Sequence, residues 1–230
     1  MQIHGFNKTT LLDYPGIVAA TIFTGSCNFR CPFCQNADLV LNPASQPLIS
    51  EEEVLAHLTK REGILKGVCI TGGEPTLQAD LEDFVRKIKS MGLMVKLDTN
   101  GYRPEVLKKL VLEGLVDYVA MDIKSSPSNY SLAAGIKVDV EKIRESVAFL
   151  KEGHVDYEFR TTVSREMHSD EVMEELADFI EGAPRYFLQG YKDSERVICP
   201  GLTAYDRDGM ERLMKLFEGR VGCVEIRGVD

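Results

Sequence analysis

The sequence has no tryptophan and no apolar run that approaches the roughly 18 to 20 residues a helix needs to cross a bilayer. Basic residues are outnumbered, since 27 Lys and Arg stand against 36 Asp and Glu and give a formal net charge of −9. Such an acidic chain lacks a general attraction to nucleic acids and anionic membranes, so neither is expected as a partner. Residues 1–8 lack the charged-then-apolar order of a secretory signal, which favours a cytoplasmic location.

The sequence also lacks segments that would divide the chain. It has no low-complexity tract, no linker rich in Pro, Gly or Ser, and no repeat of solenoid period. At 230 residues, 44% of them hydrophobic, it is long enough for one well-buried core. We therefore expect a single domain over residues 1–230.

Short apolar runs alternate with helical patterns along the chain. The predicted strands cover residues 17–24, 67–71, 93–98, 118–123, 155–163 and 185–189, with 221–226 as a candidate last strand. The predicted helices run from Ser50 to about Arg61, from Leu77 to Ile88, from Pro104 to Val111, and over about 140–150, 172–180 and 207–217. Repeated strand–helix units predict parallel strands joined by right-handed crossovers. The expected fold class is α/β, either an open doubly wound sheet or an incomplete (β/α)6 barrel.

The unusual residues of the sequence follow these strands. A cysteine loop over residues 25–36 comes after the first predicted strand, Gly72-Gly73-Glu74-Pro75 after the second, Asp98-Thr99-Asn100-Gly101 after the third and Asp122-Ile123-Lys124 after the fourth. In parallel α/β folds, catalytic side chains come from the loops at the carboxyl ends of the strands. These loops therefore predict one active site on one face of the sheet.

The cysteine loop carries Cys27, Cys31 and Cys34 in the spacing C-x3-C-x2-C. Three thiolates on one loop can hold a soft metal, either zinc or three irons of an iron–sulfur cluster. A structural zinc site needs four ligands, and no second cysteine pair offers the fourth. Three ligands to a 4Fe–4S cluster instead leave one iron open to a small molecule. Unpaired buried thiols are the remaining alternative.

The other cysteines and two of the histidines show no such grouping. Cys69, Cys199 and Cys223 are scattered along the chain, and we expect them to be ordinary packed thiols. His57 and His168 fall at predicted helix positions, where surface residues are far commoner than metal ligands, so we expect both at the surface.

The cysteine spacing, with an aromatic residue before the last cysteine, resembles the signature of the radical S-adenosylmethionine (SAM) superfamily. The resemblance implies an incomplete (β/α)6 barrel in which Cys27, Cys31 and Cys34 hold a 4Fe–4S cluster. It also implies that Phe33 packs near the adenine of S-adenosylmethionine. Gly72-Gly73-Glu74-Pro75 matches the GGEP motif of that family, whose backbone and glutamate meet the methionyl amino group.

A narrower resemblance is to the glycyl-radical-enzyme activating proteins, and within them to the activators of anaerobic ribonucleoside-triphosphate reductase. It rests on residues 5–16 (GFNKTTLLDYPG) and on the segments that contain Asp98, Asn100 and Lys124. By this likeness Asp98 lies near the ribose or the substrate, Asn100 contributes to the cofactor site, and Lys124 pairs with the methionyl carboxylate. An ammonium group that faces a carboxylate in a dry pocket is a physically sensible contact.

Other site assignments have alternatives. Arg160 lies on an apolar predicted strand and needs an anion, which is either the cofactor carboxylate or a structural ion-pair partner. Asp98, Thr99 and Asp122 form a candidate site for a monovalent cation, as in some relatives. The segment around Thr99 is also a good tight turn, and Lys124 is otherwise a solvated loop lysine.

The chain departs from the activating proteins at two positions. Gln35 stands where a histidine often follows the third cysteine, and Gln189 stands where some relatives place a histidine near the ribose. Glutamine still hydrogen-bonds a hydroxyl group but does not titrate near neutral pH. We include Gln189 in the cofactor site, while both departures weaken the assignment of one particular partner. With six cysteines, the chain also has no inserted eight-cysteine ferredoxin-like module.

The resemblance implies an oxygen-sensitive, anaerobic oxidoreductase. It would cleave S-adenosylmethionine reductively to a 5′-deoxyadenosyl radical, which takes a hydrogen atom from a glycine of a partner glycyl radical enzyme. The expected partners are anaerobic ribonucleotide reductase and a flavodoxin- or ferredoxin-type electron donor. The first alternative is the same chemistry on a small molecule or another protein. The second is a non-catalytic iron–sulfur or zinc protein, which has no need of a methionine-binding shell.

Overall fold

The structure, a computed structural model, describes residues 1–229. Its eight strands form one sheet in chain order: β1 (Ile3–Thr10), β2 (Ala19–Thr24), β3 (Gly67–Gly72), β4 (Met94–Thr99), β5 (Tyr118–Asp122), β6 (Asp156–Val163), β7 (Arg185–Gly190) and β8 (Cys223–Arg227). The helices are α1 (Ala37–Leu41), α2 (Glu51–Lys60), α3 (Leu81–Ser90), α4 (Pro104–Leu112), α5 (Tyr130–Ala134), α6 (Val140–Lys151), α7 (Asp170–Phe179) and α8 (Arg207–Lys215). In this part of the chain, none of them is long and apolar enough to span a membrane.

Parallel pairing dominates the sheet. β1 runs antiparallel to β2, and β2 to β8 then run parallel to one another. Within residues 1–229 β8 does not pair with β1, so the barrel is incomplete, which confirms the predicted fold class. Sequence patterns do not predict β1, because Asn7, Lys8 and Thr9 are polar and exposed and β2 is the only strand paired with it in the sheet of residues 1–229.

Side-chain caps fix where several helices begin. The sequence Ser50-Glu51-Glu52-Glu53 predicts such a cap, and Ser50 Oγ accepts a hydrogen bond from the Glu53 N–H at 3.1 Å. Asp206 caps α8 in the same way, with its Oδ1 accepting from the Gly209 N–H at 2.9 Å. These bonds satisfy donors that a helix leaves free in its first turn.

The two sides of the sheet differ because side chains alternate along each strand. In β4, Val95 and Leu97 are buried in the hydrophobic core that the helices cover. The alternate residues, Lys96 and Asp98, lie on the inner side of the barrel and pair with each other there. The outer side of the sheet therefore supplies the core, and the inner side carries polar groups.

The scattered cysteines have different surroundings. Cys69 is buried in β3, as predicted. The prediction of packed thiols is wrong for Cys199 and Cys223, which are exposed. Cys199 lies in the loop after β7, and Cys223 begins the edge strand β8. His57 lies on α2 and is partly exposed.

Helix α3 packs on the sheet through a buried apolar stripe. Phe84→Ala removes a side chain with no exposed surface and leaves a cavity, so we expect the free energy of unfolding to fall by about 3–5 kcal/mol. Asp83→Ala, on the exposed side of the same helix, is the control and should cost less than about 1 kcal/mol. Urea denaturation followed by circular dichroism measures both, and equal losses would contradict this packing.

Candidate active site

A cavity of about 520 Å³ lies at the carboxyl ends of the parallel strands. All but one of the site residues predicted from the sequence line it: Cys27, Cys31, Phe33, Cys34, Gly72, Gly73, Glu74, Asp98, Asn100, Lys124, Arg160 and Gln189. The exception is Pro75, which is buried at the start of a 3-10 turn outside the cavity wall. The structure thus brings the separate motifs to one place, as their order along the strands predicts.

Backbone hydrogen bonds from distant parts of the chain hold the cysteine loop. The Arg30 N–H donates to the carbonyl of Ala134 at 2.8 Å, and the Ile198 N–H donates to the carbonyl of Cys34 at 3.2 Å. Ser26, near the start of the loop, adopts a φ of 68°, a conformation uncommon for residues other than glycine. The loop is therefore fixed by its surroundings, since it has no regular secondary structure of its own around the cysteines.

The three clustered thiols are free, and burial disfavours the charged forms of Cys27 and Cys31. It raises the pKa of Cys27 to about 12 and that of Cys31 to about 11. A bound metal reverses this preference because it stabilises thiolates directly. Within residues 1–229, no three His, Cys, Asp or Glu side chains are grouped so as to hold a single metal ion. Thiols that each ligate a different iron do not need to meet at one point, so the donor set fits a cluster better than a mononuclear zinc site.

Gly72 and Gly73 let the end of β3 touch the cysteine loop. The Glu74 N–H donates to the carbonyl of Ser26 at 2.8 Å, and the Gly73 N–H donates to the carbonyl of Thr24 at 2.8 Å. A Cβ on Gly73 would stand 1.9 Å from the Ser26 carbonyl oxygen. One on Gly72, whose φ is 111°, would stand 2.4 Å from backbone atoms of Thr24. Glycine is therefore required at both positions.

The Glu74 side chain is buried and joins two loops of the site. Its Oε1 accepts hydrogen bonds from the Thr76 N–H at 3.1 Å and the Thr99 hydroxyl at 2.7 Å, and its Oε2 accepts one from the Asn100 N–H at 2.7 Å. Burial raises the pKa of the carboxyl group, although these donors act in the opposite direction. Both oxygens thus already have protein donors, and Oε2, with one partner, has capacity left for a ligand N–H.

Asn100 carries this connection on to the cysteine loop. Its Oδ1 accepts a hydrogen bond from the Tyr102 N–H at 3.0 Å, which fixes the orientation of the amide. Its Nδ2 then donates to Asn28 Oδ1 at 2.8 Å and lies 3.9 Å from the sulfur of Cys27. Glu74, Asn100 and the cysteine loop are therefore linked by consecutive hydrogen bonds.

Five charged side chains, which we call the charge ladder, form a row of ion pairs inside the barrel: Lys96, Asp98, Arg160, Asp122 and Lys124. Arg160 holds both carboxylates, with Nη1 3.1 Å from Asp98 Oδ2 and Nε 2.9 Å from Asp122 Oδ1. Burial alone would raise the pKa of Asp122, but the charges of Arg160 and Lys124 outweigh it and lower that pKa to about 2. Of the two anions considered for Arg160, the structural ion-pair partner is present.

Lys96 and Arg227 are site residues that the sequence analysis misses. Lys96 is 2% exposed, and a signal for it exists, because it precedes Asp98 by two residues in a strand and so shares its side of the sheet. Arg227 lines the cavity from β8, and its guanidinium carbon lies 3.3 Å from the centroid of the Phe187 ring. It falls one residue beyond the predicted last strand, where no motif marks it.

The prediction that His168 is a surface residue of a helix is wrong. It is fully buried in the loop before α7, where the Ser164 N–H donates to its Nδ1 at 3.2 Å. Because Nδ1 accepts, the ring proton is assigned to Nε2, which donates to the Lys124 carbonyl at 2.9 Å. The ring centroid also lies 6.0 Å from that of Phe33. His168 therefore holds the main chain of Lys124 beside the aromatic residue of the cysteine loop.

The burial of His168 makes the free energy of unfolding depend measurably on pH. Burial lowers its pKa to about 4, against about 6.5 in an unfolded chain, so the unfolded state takes up a proton first. Neutral His168 stabilises the fold above pH 6.5, and this stabilisation is lost as the pH falls from 6.5 towards 4. Over that window we expect wild type to lose roughly 3 kcal/mol more of its free energy of unfolding than His168→Gln, which keeps a donor for the Lys124 carbonyl. Urea titrations at several pH values test this, and equal slopes for the two proteins would refute it.

Comparison with known proteins agrees with the geometry. The sequence matches the radical SAM superfamily over residues 21–183. It is similar to a putative glycyl-radical enzyme activating enzyme of Methanocaldococcus jannaschii, with 30% identity over 235 residues that cover 99% of this chain and 96% of the relative. It is also 33% identical to the pyruvate formate-lyase 1-activating enzyme of Escherichia coli over 129 residues, which cover 54% of this chain and 52% of that enzyme.

Solved structures share the fold at low sequence identity. Streptococcus suis SuiB bound to S-adenosylmethionine has a TM-score of 0.69 at 17% identity, over 88% of this chain and 48% of SuiB. A domain of pyruvate-formate lyase-activating enzyme from Bacteroides vulgatus has a TM-score of 0.56 at 18% identity, over 70% of this chain and 99% of that domain. This chain thus spans about half of SuiB and of the Escherichia coli enzyme. The family match over most of the chain, together with a relative at 30% identity along nearly its whole length, shows that the chain belongs to the radical SAM superfamily.

Proposed function

We propose that the protein activates a glycyl radical enzyme by taking a hydrogen atom from one of its glycines. The observation that carries this proposal is that three free thiols, the Gly72-Gly73 turn and four of the five charge-ladder side chains surround one cavity. When bound, a reduced 4Fe–4S cluster and S-adenosylmethionine supply the electron transfer that breaks the S–C5′ bond and yields a 5′-deoxyadenosyl radical. Binding, orientation and exclusion of water are the tasks of this chain's own residues.

The cysteine loop is assigned to the cluster. Cys27, Cys31 and Cys34 are its three ligands, and they must lose their thiol protons as the metal binds. The Phe29 N–H lies 3.4 Å from the sulfur of Cys27 and donates towards it. Hydrogen bonds of this kind to cluster ligands tune the reduction potential. Cys31 is buried, which limits the access of water to that side of the site.

The methionyl end of S-adenosylmethionine is assigned to charged and backbone groups. Lys124 and Arg160 are the cations for its carboxylate, and both already contact Asp122. Glu74 and the Gly72-Gly73 backbone are the acceptors for its ammonium group. A ligand carboxylate can join the row without displacing Asp122, because the charge ladder contains three bases and two acids.

The nucleoside end is assigned to Phe33 and to three polar side chains. The Phe33 ring is buried beside His168 and offers a fixed apolar face for the adenine. Asp98, Asn100 and Gln189 line the same cavity and offer acceptors and donors for the ribose hydroxyl groups. The pKa of Asp98 is lowered despite its burial, because the charges of Arg160 and Lys96 outweigh desolvation, so its carboxylate stays an acceptor.

The relatives support a glycyl radical enzyme as the substrate, because two of those compared are described as activating enzymes for such proteins or for pyruvate formate-lyase. Anaerobic ribonucleotide reductase is the particular partner we propose, on the resemblance of residues 5–16, and a flavodoxin- or ferredoxin-type protein is the proposed electron donor. The open barrel suits a substrate presented on a protein loop. Phe23, near the β1 edge, and Gly228, just beyond β8, both line the cavity, which therefore reaches the open side.

Removal of one proposed ligand tests the function. Anaerobically reconstituted and reduced wild type should form 5′-deoxyadenosine from S-adenosylmethionine. Cys31→Ala should form none above the enzyme-free background and should retain less iron, because two thiolates do not hold the cluster. Cys199→Ala is the matched control, since its N–H bonds the Pro32 carbonyl of the same loop but its thiol is exposed, and it should keep both properties. Chromatography and an iron assay give the two readouts.

The possible outcomes separate the alternatives. Turnover by Cys31→Ala would overturn the proposal. If wild type forms no 5′-deoxyadenosine alone, the assay is repeated with a candidate anaerobic ribonucleotide reductase and its glycyl radical is sought by electron paramagnetic resonance. If neither 5′-deoxyadenosine nor a glycyl radical is detected there, the result would favour a non-catalytic iron–sulfur protein. Cleavage of S-adenosylmethionine without a radical on any candidate partner would favour a small-molecule substrate.

A further inference from the structure

Lys96 is a buried ammonium group at the inner end of the charge ladder. It is 2% exposed, its Nζ pairs with Asp98 Oδ1, and it lies 3.8 Å from the sulfur of Cys69. A charge removed from water in this way is costly unless it is paired, and a buried pair that loses one member leaves the other uncompensated. The charges of Lys96 and Asp98 therefore each compensate the burial of the other.

The oxygens that the sequence suggests for a monovalent cation are already engaged. Asp98 Oδ1 accepts from Lys96 and its Oδ2 lies 3.1 Å from Arg160, while the Asp122 oxygens accept from Arg160 at 2.9 Å and Lys124 at 3.1 Å. Each carboxylate oxygen thus has a cationic donor of the protein itself. A metal ion at these oxygens would have to share them with these donors, each of which carries a positive charge.

The hydroxyl of Thr99 is engaged as well. It donates to Glu74 Oε1 at 2.7 Å and accepts from the Gly101 N–H at 3.1 Å. An added cation among these residues would also stand beside three positive side chains and be repelled by them. The residues present therefore do not fit the monovalent cation expected at Asp98, Thr99 and Asp122.

We propose that Lys96 is the resident cation of this site, a positioning residue that keeps Asp98 ionised and turned towards Arg160 in the place where a monovalent metal ion would otherwise act. The inference rests on the proposed function in one respect, namely that the cavity binds S-adenosylmethionine. With Lys96 in place, the three bases exceed the two carboxylates by one charge, which one ligand carboxylate balances. With a monovalent metal ion in addition, one positive charge would remain in excess even after that carboxylate binds.

The experiment compares wild type, Lys96→Met and Lys109→Met, each loaded with cluster, in potassium chloride and in tetramethylammonium chloride at equal ionic strength. Calorimetric binding of S-adenosylmethionine and formation of 5′-deoxyadenosine are measured in both salts. Wild type should bind equally in the two salts. Lys96→Met should bind about 10- to 100-fold more weakly in tetramethylammonium, the range typical when a side chain that orients a binding group is lost. Potassium or ammonium should restore most of this affinity by occupying the place of the missing Nζ.

Lys109→Met is the control because Lys109 also pairs with a carboxylate, Glu82, but at the surface. It should bind as wild type does in both salts. A structural defect in Lys96→Met would lower binding equally in both salts and would not respond to ammonium. Lys96→Met/Asp98→Asn removes both members of the buried pair and should lose the response to potassium.

The midpoint of thermal unfolding of the same proteins supplies a readout that needs no ligand. A cation that binds only the folded state raises the midpoint, so potassium should raise it for Lys96→Met and not for wild type. Potassium dependence of wild type, in binding or in melting, would overturn the inference, as would a Lys96→Met variant indistinguishable from wild type or not rescued by any cation. Failure of wild type to bind S-adenosylmethionine would refute the proposed function, while the melting comparison would still decide the role of Lys96.

Discussion

The backbone contact between the end of β3 and the cysteine loop is the constraint on which the site depends. Two hydrogen bonds of 2.8 Å, from Gly73 to Thr24 and from Glu74 to Ser26, hold the segments so close that no Cβ fits between them. Through the carboxylate of Glu74 the contact extends to Asn100 and so to β4. A loop without secondary structure holds its side chains in place only when such bonds fix its backbone, because main-chain donors and acceptors have no rotamers to lose.

Side chains alternate along each strand of the barrel, so the residues that form the core and those that form the site lie on opposite sides of the sheet. Barrels of parallel strands ordinarily fill their interior with branched apolar side chains. Here the apolar residues of β4, Val95 and Leu97, lie on the outer side under the helices, and the inner positions carry Lys96 and Asp98. The buried charges are tolerated because each has a partner, so the interior contributes a site and the outer core contributes most of the stability.

The sequence predicts the parts of this structure that depend on local pattern or on motif. The strands β2 to β7 and the cap at α2 follow from periodicity and from Ser50. The predicted site residues other than Pro75 line the cavity, whereas Arg227 lines it without any motif to mark it. β1 escapes prediction because it is a polar edge strand. The burial of His168 is not predicted, because it involves contacts with Lys124, 44 residues away, and Ser164, 4 residues away, which no local pattern reveals. The Pro75 ring matches its motif but lies outside the cavity wall, since motif membership does not specify where a side chain points.

The charge ladder also explains why a cationic side chain suits this position better than a free ion. The ammonium group of a lysine is covalently attached, so it is present in the site at any salt concentration. A bound ion instead dissociates according to its concentration. The arrangement fixes the charge that the cavity presents, because Lys96 neutralises Asp98 and leaves Arg160 and Lys124 facing Asp122. One ligand carboxylate would then complete the balance of three bases and three acids, which is the charge that the proposed binding of S-adenosylmethionine brings to Lys124 and Arg160.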